Sequence, residues 1–232
     1  MNIDSRGDKL RIAILIPARY GSTRFPGKAL ARLHGVPMAK LVYDRCKRSG
    51  FDTYLLSDDE RICNLVEQSI MTGSSCENGT ERCAEAALRL DKYDAFINVQ
   101  GDLPDITSEI IHSVAAGLRR YELVTAFTKM DELFRASPHT VKLVHNNSLA
   151  HWFCRAPLKY GDQHIGVYGY HRTLLLEYPR LTRSVPEVVE SLEQLRWLSA
   201  GYRMKVVEVS FFGVEINCPE DVQLWEENSA LS

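Results

Sequence analysis

Paired cysteines are missing from this sequence. Its six cysteines, Cys46, Cys63, Cys76, Cys83, Cys154 and Cys218, show no C-x-x-C spacing, which argues against a structural zinc site and, at this length, against a disulfide scaffold. Cys46 and Cys83 fall on apolar helix faces and read as core. No apolar run approaches the roughly 18 residues that a membrane span needs, and the start, Met1 to Lys9, is too polar for a secretory signal. A cytoplasmic protein with no membrane partner is expected. A net charge of −2, spread along 232 residues, supplies no basic field for nucleic acid, and Arg119 with Arg120 does not make one. No internal repeat, low-complexity tract or flexible linker interrupts the chain, so one domain over residues 1–232 is expected. The seven histidines are scattered and form no Ser-His-acid pattern.

What is present begins with Ile12-Ala-Ile-Leu-Ile16, a run of apolar, mostly β-branched residues that predicts a buried strand. It leads into Pro17-Ala-Arg-Tyr-Gly-Ser-Thr-Arg-Phe-Pro-Gly-Lys28, a turn-rich loop carrying Arg19, Arg24 and Lys28. Gly21 and Gly27 permit close backbone approach, Ser22 and Thr23 add hydroxyls, and the cations suit a polyphosphate. A P-loop does not fit. Five residues separate Gly21 from Gly27, Ala29 follows Lys28 where a hydroxyl would meet magnesium, and Pro26 lacks an N–H. A merely solvated loop is the rival reading, weakened by the loop's place at the end of a buried strand, where α/β proteins bind ligands.

Strand and helix signals then alternate, which predicts a mostly parallel sheet covered on both faces. Helices are expected over 38–49, 60–68, 81–90, 107–120 and 188–200, with Leu88 and Val188 facing inward, and strands over 53–56, 95–99, 123–128, 141–144, 149–153, 165–170 and 205–209. Asp58 and Asp59 read as helix caps or as ribose or base contacts. Asn78 or Thr80 caps the helix that follows a small-residue loop, whose amides would suit ribose or phosphate, and Arg82 in its first turn calls for a nearby anion. Asp102, just past a central strand and after Gly101, is the best single magnesium ligand. Gly166 and Gly169 leave one strand face open to a close neighbour. Glu190, Glu193, Gln194 and Arg196 read mostly as a solvated helix face. The parts together point to phosphoryl or nucleotidyl transfer, which requires charge neutralisation and in-line positioning.

The loop at Pro17 to Lys28, Asn98-Val-Gln-Gly-Asp102, Arg155-Ala-Pro157, His164-Ile-Gly-Val-Tyr-Gly-Tyr170, Glu193-Gln-Leu-Arg196 and Cys218-Pro-Glu-Asp221 occur in one order over nearly the whole chain. In this the sequence resembles the 3-deoxy-manno-octulosonate cytidylyltransferases, the CMP-Kdo synthetases. The resemblance implies a Rossmann-like, three-layer α/β nucleotidyltransferase fold with a mostly parallel mixed sheet, usually a homodimer, in which residues of about 140–185 form a less regular sugar-binding and dimerisation region. It implies transfer of CMP from CTP to a sugar acid with Mg2+ as cofactor. Arg19 and Lys28 would hold the triphosphate, with Ser22, Thr23 and Arg24 shaping the loop. Ala18, Ser57, Asn78, Gly79 and Thr80 would surround cytosine and ribose, with Gln100 beside them. Gln100, Arg155, His164, Tyr168, Glu193 and Gln194 would bind the sugar acid. Asp102 would carry magnesium, joined by position 217, where Asn217 replaces the family's Asp and leaves Glu215 or Asp221 as further carboxylates. Leu103, Ser57 and Asn78 also depart from the family's usual residues, and the segment between Pro157 and His164 is short. A binding protein without turnover, or an enzyme for another nonulosonic acid such as a sialic acid, are the alternatives.

Overall fold

Strand β1, Ile12–Pro17, is buried along its full length, as a run of β-branched residues without polar alternation requires of a strand covered on both faces. The computed structural model describes residues 10–21 and 25–229. The polar start at residues 1–9 and the loop residues Ser22, Thr23 and Arg24 lie outside the described residues. After β1 comes a tight hairpin of β2 (Arg32–Leu33) and β3 (Val36–Pro37), closed by His34 and Gly35 with φ of 45° and 80°; such left-handed pairs match hairpin twist. The chain continues through α1 (Met38–Lys47), β4 (Asp52–Ser57), α2 (Glu60–Cys63), β5 (Ser69–Met71), α3 (Gly79–Ala87), β6 (Ala95–Val99), α4 (Ser108–Leu118), β7 (Leu123–Thr128) and α5 (Glu132–Arg135). Then follow β8 (Lys142–Asn146), β9 (Leu149–Cys154), β10 (Asp162–His171), α6 (Arg172–Glu177), α7 (Val185–Glu190), α8 (Gln194–Ser199), β11 (Lys205–Glu208) and α9 (Pro219–Ser229). Among the described residues no helix is long and apolar enough to cross a membrane.

Nine strands form one sheet in the order β5-β4-β1-β6-β10-β7-β11-β9-β8. β10 runs antiparallel to β6 and β7, and β9 antiparallel to β11 and β8, while the other strands share one direction. The sheet is therefore mixed with most strands parallel, and residues 140–185 contribute β8, β9 and β10 to it. Alternation along β1 shows the layering. Ile12, Ile14 and Ile16 join α1 and α4 residues such as Val42, Cys46 and Val114 on one face. Ala13 and Leu15 join Cys83, Ala87 and Trp197 on the other. This three-layer arrangement puts the carboxyl ends of β1, β4 and β6 along one edge. Because β10 is reversed, its first half, with His164, lies beside that edge.

Several expectations change. The helix predicted for 60–68 ends at Cys63, and residues 69–71 add a three-residue strand too short to show periodicity. Leu88, predicted inward, is 65% exposed because α3 stops at Ala87. The helix predicted for 188–200 is two helices: Ser191, at φ 54°, breaks the run, and Val188 is 51% exposed. The glycines of β10 do admit close neighbours, and these are the protein's own side chains. A Cβ at Gly166 would stand 3.0 Å from Gln100 Cγ, and one at Gly169 would stand 2.9 Å from both Val114 and Leu118 of α4. Gly169→Ala is accordingly expected to destabilise the fold by about 1–3 kcal/mol through overpacking, read as a lower urea midpoint with unchanged slope; an unaltered midpoint would contradict this packing.

Candidate active site

Lys28 is where the anion loop meets the metal acid. Gly27, at φ 71°, opens a short 3-10 turn over Lys28–Leu30 that sends the Lys28 side chain inward, leaving it 17% exposed. Its Nζ donates to Asp102 Oδ2 at 2.6 Å and to the Ile216 carbonyl at 3.0 Å. The Ile216 N–H in turn donates to the Asp102 carbonyl at 3.0 Å. Three segments distant in sequence, following β1, β6 and β11, are joined at one point. Asp102 Oδ1 is buried and has no hydrogen-bond partner among the described residues.

Beside this junction Gln100 leaves the end of β6 and is clamped between glycines. A Cβ at Gly79 would meet Gln100 Nε2 at 2.8 Å. Gln100 Nε2 donates to Glu193 Oε1 at 2.9 Å, and the other oxygen of Glu193 accepts from the Thr80 N–H at 2.9 Å. Glu193 thus covers the N-terminus of α3 together with Asn78, whose side chain accepts from the Glu81 N–H at 2.9 Å. The amides expected to await ribose or phosphate already have protein partners. Desolvation raises the Glu193 carboxyl to about 7 even though the amides of Thr80 and Gly79 favour its charged form. Behind it, Arg196 is buried against Glu187 at 2.6 Å and Glu81 at 2.9 Å, with its guanidinium over the Tyr178 ring. Glu193, Gln194 and Arg196, expected to be solvated, are withdrawn from water because the break at Ser191 turns α8 inward.

On the β10 side, His164 Nε2 lies 2.9 Å from Thr125 Oγ1, whose hydroxyl donates to the Val167 carbonyl at 2.9 Å. The hydroxyl has one proton, so Nε2 carries the hydrogen and Nδ1 remains an acceptor. Burial, reinforced by Arg155, lowers the His164 pKa to about 3, and the ring is neutral at physiological pH. Tyr168 donates to Gln194 Oε1 at 3.2 Å, which leaves Gln194 Nε2 buried without a partner among the described residues. Arg155 is anchored through Nε to the Glu190 carbonyl at 3.2 Å.

These groups line one cavity of about 440 Å3. It gathers Ala18, Arg19, Lys28, Asn78, Gly79, Gln100, Asp102, Arg155, His164, Tyr168, Glu193, Gln194 and Asn217 from the sequence-predicted set. Ser57 and Thr80 are not brought to it: Ser57 is fully buried with Oγ accepting from the Asp59 N–H at 3.2 Å, and Thr80 Oγ1 pairs with the Tyr170 hydroxyl at 3.0 Å in the core. Asp221, offered as a metal carboxylate, instead accepts from the N–H groups of Asn217 and Cys218 at 2.6 and 2.9 Å at the start of α9. The anion that Arg82 called for is Asp58, at 3.1 Å, and Arg82 also donates to Thr72. Residues missed by sequence reasoning include Glu187, and the Arg183–Glu77 ion pair of 2.9 Å, both of whose members line the cavity. No local pattern marks either.

A divalent cation fits this wall. Among the described residues no group of three or more His, Cys, Asp and Glu gathers, but magnesium is commonly held by one or two carboxylates, with phosphate and water oxygens completing its octahedron. The unpartnered Asp102 Oδ1 offers one such oxygen. Glu215 lines the same cavity, and its carboxyl is pushed upward by desolvation first and by the charge of Asp102 next.

Comparison with known proteins places this geometry among relatives. Residues 13–206 match the cytidylyltransferase family. The chain is 37% identical to the 3-deoxy-manno-octulosonate cytidylyltransferase of Fusobacterium nucleatum subsp. nucleatum, over 90% of this chain and 93% of the relative. It is also 37% identical to the 8-amino-3,8-dideoxy-manno-octulosonate cytidylyltransferase of Shewanella pealeana, over 94% of this chain and 98% of the relative. Among solved structures, CMP:2-keto-3-deoxy-manno-octonic acid synthetase complexed with CTP superposes with a TM-score of 0.88 at 33% identity, covering 95% of this chain and 99% of that one.

The raised Glu193 carboxyl has a measurable consequence. A carboxyl with a higher pKa folded than unfolded stabilises the fold fully below the unfolded value near 4.5, and the contribution is lost as pH rises through about 7. Between pH 5 and 8 the ligand-free protein is expected to lose more stability than Glu193→Gln, followed by urea unfolding; parallel profiles would contradict the assignment.

Proposed function

The chain belongs to the 3-deoxy-manno-octulosonate cytidylyltransferase family, and from that premise we propose that it transfers CMP from CTP to the anomeric hydroxyl of a 3-deoxy ulosonic acid, Kdo or its 8-amino analogue. The hydroxyl oxygen attacks the α-phosphorus and gives its proton to solvent, the bond from that phosphorus to the bridging oxygen of the β-phosphate breaks, and pyrophosphate leaves with that electron pair. The observation that carries this reading is one cavity that holds both Lys28 with Asp102 and the unpartnered Gln194 Nε2 beside Tyr168.

Arg19 and Lys28 neutralise the triphosphate, and Ser22, Thr23 and Arg24 complete that loop. Ala18, Asn78 and Gly79 border the nucleoside. Gln100, fixed by Glu193 and the flanking glycines, sits between nucleotide and sugar. Arg155 faces the sugar carboxylate, His164 offers its Nδ1 acceptor to a hydroxyl, and Gln194 Nε2 donates to a sugar oxygen that supplies its missing partner. Mg2+, proposed as the cofactor on Asp102, supplies charge neutralisation at the phosphate oxygens when bound. A homodimer in the cytoplasm is proposed as the working form; Val185 and Val189 on α7, each 76% exposed, offer apolar surface for a second copy.

Pyrophosphate release from CTP and Mg2+ is expected with Kdo or 8-amino-Kdo, and weaker or absent release with a sialic acid. Background release with all three would overturn the reading and leave a protein that recognises nucleotide without turnover. Gln194→Leu is expected to raise KM for the sugar acid by about tenfold, the effect of one lost buried hydrogen bond, with CTP affinity measured by calorimetry unchanged; an equal loss for CTP would misplace Gln194.

A further inference from the structure

Position 217 carries an amide, so a second carboxylate sharing a cation with Asp102 would come from elsewhere in this wall. Ile216 is fully buried in a small cluster with Leu33, Met38 and Trp225. Its neighbours Glu215 and Asn217 both line the cavity. The backbone of this segment is held against Asp102 by the Ile216 N–H at 3.0 Å and against Lys28 by the Ile216 carbonyl at 3.0 Å. Glu215 therefore has a fixed place beside Asp102.

Asp102 and Glu215 bring two carboxyl groups to this wall; the ammonium of Lys28 is committed to Asp102 Oδ2 at 2.6 Å, and the charges of Lys28 and Arg155 act on Glu215. Asp102 Oδ1 stays buried and unpartnered among the described residues. Asn217 is engaged as a donor: its Nδ2 lies 3.4 Å from the Glu215 carbonyl, and its side chain favours the charged form of the Glu215 carboxyl. A hard cation gains more from a charged oxygen than from a neutral amide already turned toward its neighbour.

We propose that Glu215 and Asp102 together hold the divalent cation, and that Asn217 is a positioning residue that orients Glu215. This assignment rests on the magnesium-dependent reading of the same site. Its test uses Mn2+ as a probe visible by electron paramagnetic resonance, titrated into the full chain with CTP and without sugar acid, so that binding is read apart from turnover. Glu215→Gln and Asp102→Asn are each expected to weaken Mn2+ by about tenfold or more, and Asn217→Ala by less, about threefold. Glu215→Asp, which keeps the charge, is expected to recover part of the loss. Thermal unfolding and CTP binding in EDTA report on the fold of each variant. If Asp102→Asn weakens Mn2+ while Glu215→Gln matches the parent, the Glu215 assignment falls and the metal site stands. If neither variant changes Mn2+ affinity, both fall. A larger loss in Asn217→Ala than in Glu215→Gln would make the amide the ligand and overturn the proposal.

Discussion

The bond from Lys28 Nζ to Asp102 Oδ2, together with the one to the Ile216 carbonyl, is the contact on which the candidate site depends. It closes a triangle between the loop after β1, the turn after β6 and the segment after β11. Both side chains are mostly withdrawn from water, at 17% and 18% exposure, and ion pairs in that setting return little net stability after desolvation. What the contact supplies is position. Without the ammonium, Asp102 would lose its ion-pair partner while its charge still acts on Glu215, and like charges repel more strongly away from water.

A second network fixes the other end of the cavity by similar means. Glu187 and Glu81 hold Arg196, Arg196 stabilises α8, and the turn before α8 places Glu193 on Gln100 and on the first amides of α3. The helix N-terminus, which would otherwise attract an external anion, is partly covered by the protein's own carboxylate. Glu193, Gln194, Tyr168 and His164 line the same cavity as Arg19 and Lys28 with hydrogen-bonding groups.

Local pattern was enough to read β1, β6 and β7 and the loops at their ends, because these strands are buried runs bounded by turn residues. It was enough to bring Asp102 to the cavity wall too, since an acid after a strand and a glycine is a local signature. The break at Ser191 was not legible: residues 188–200 keep helical spacing, and a left-handed backbone at Ser191 separates α7 from α8. Nor could spacing alone show that Ser57 and Thr80 face the core, that Arg82 answers to Asp58, or that Asp221 serves the start of α9. Thr80 and Arg82 depend on partners in other segments, Tyr170 and Asp58, as does Glu215, whose neighbour Ile216 is tied to Asp102 by a backbone bond across more than one hundred residues of sequence.

The candidate site therefore depends on Lys28 and Asp102 acting as one unit. A double-mutant cycle of Lys28→Met and Asp102→Asn, measured by urea unfolding of the ligand-free protein, tests this most directly. The two losses are predicted to be non-additive, with a coupling of about 1 kcal/mol or more. Additivity to within about 0.5 kcal/mol would show that the two residues are independent and contradict the central claim.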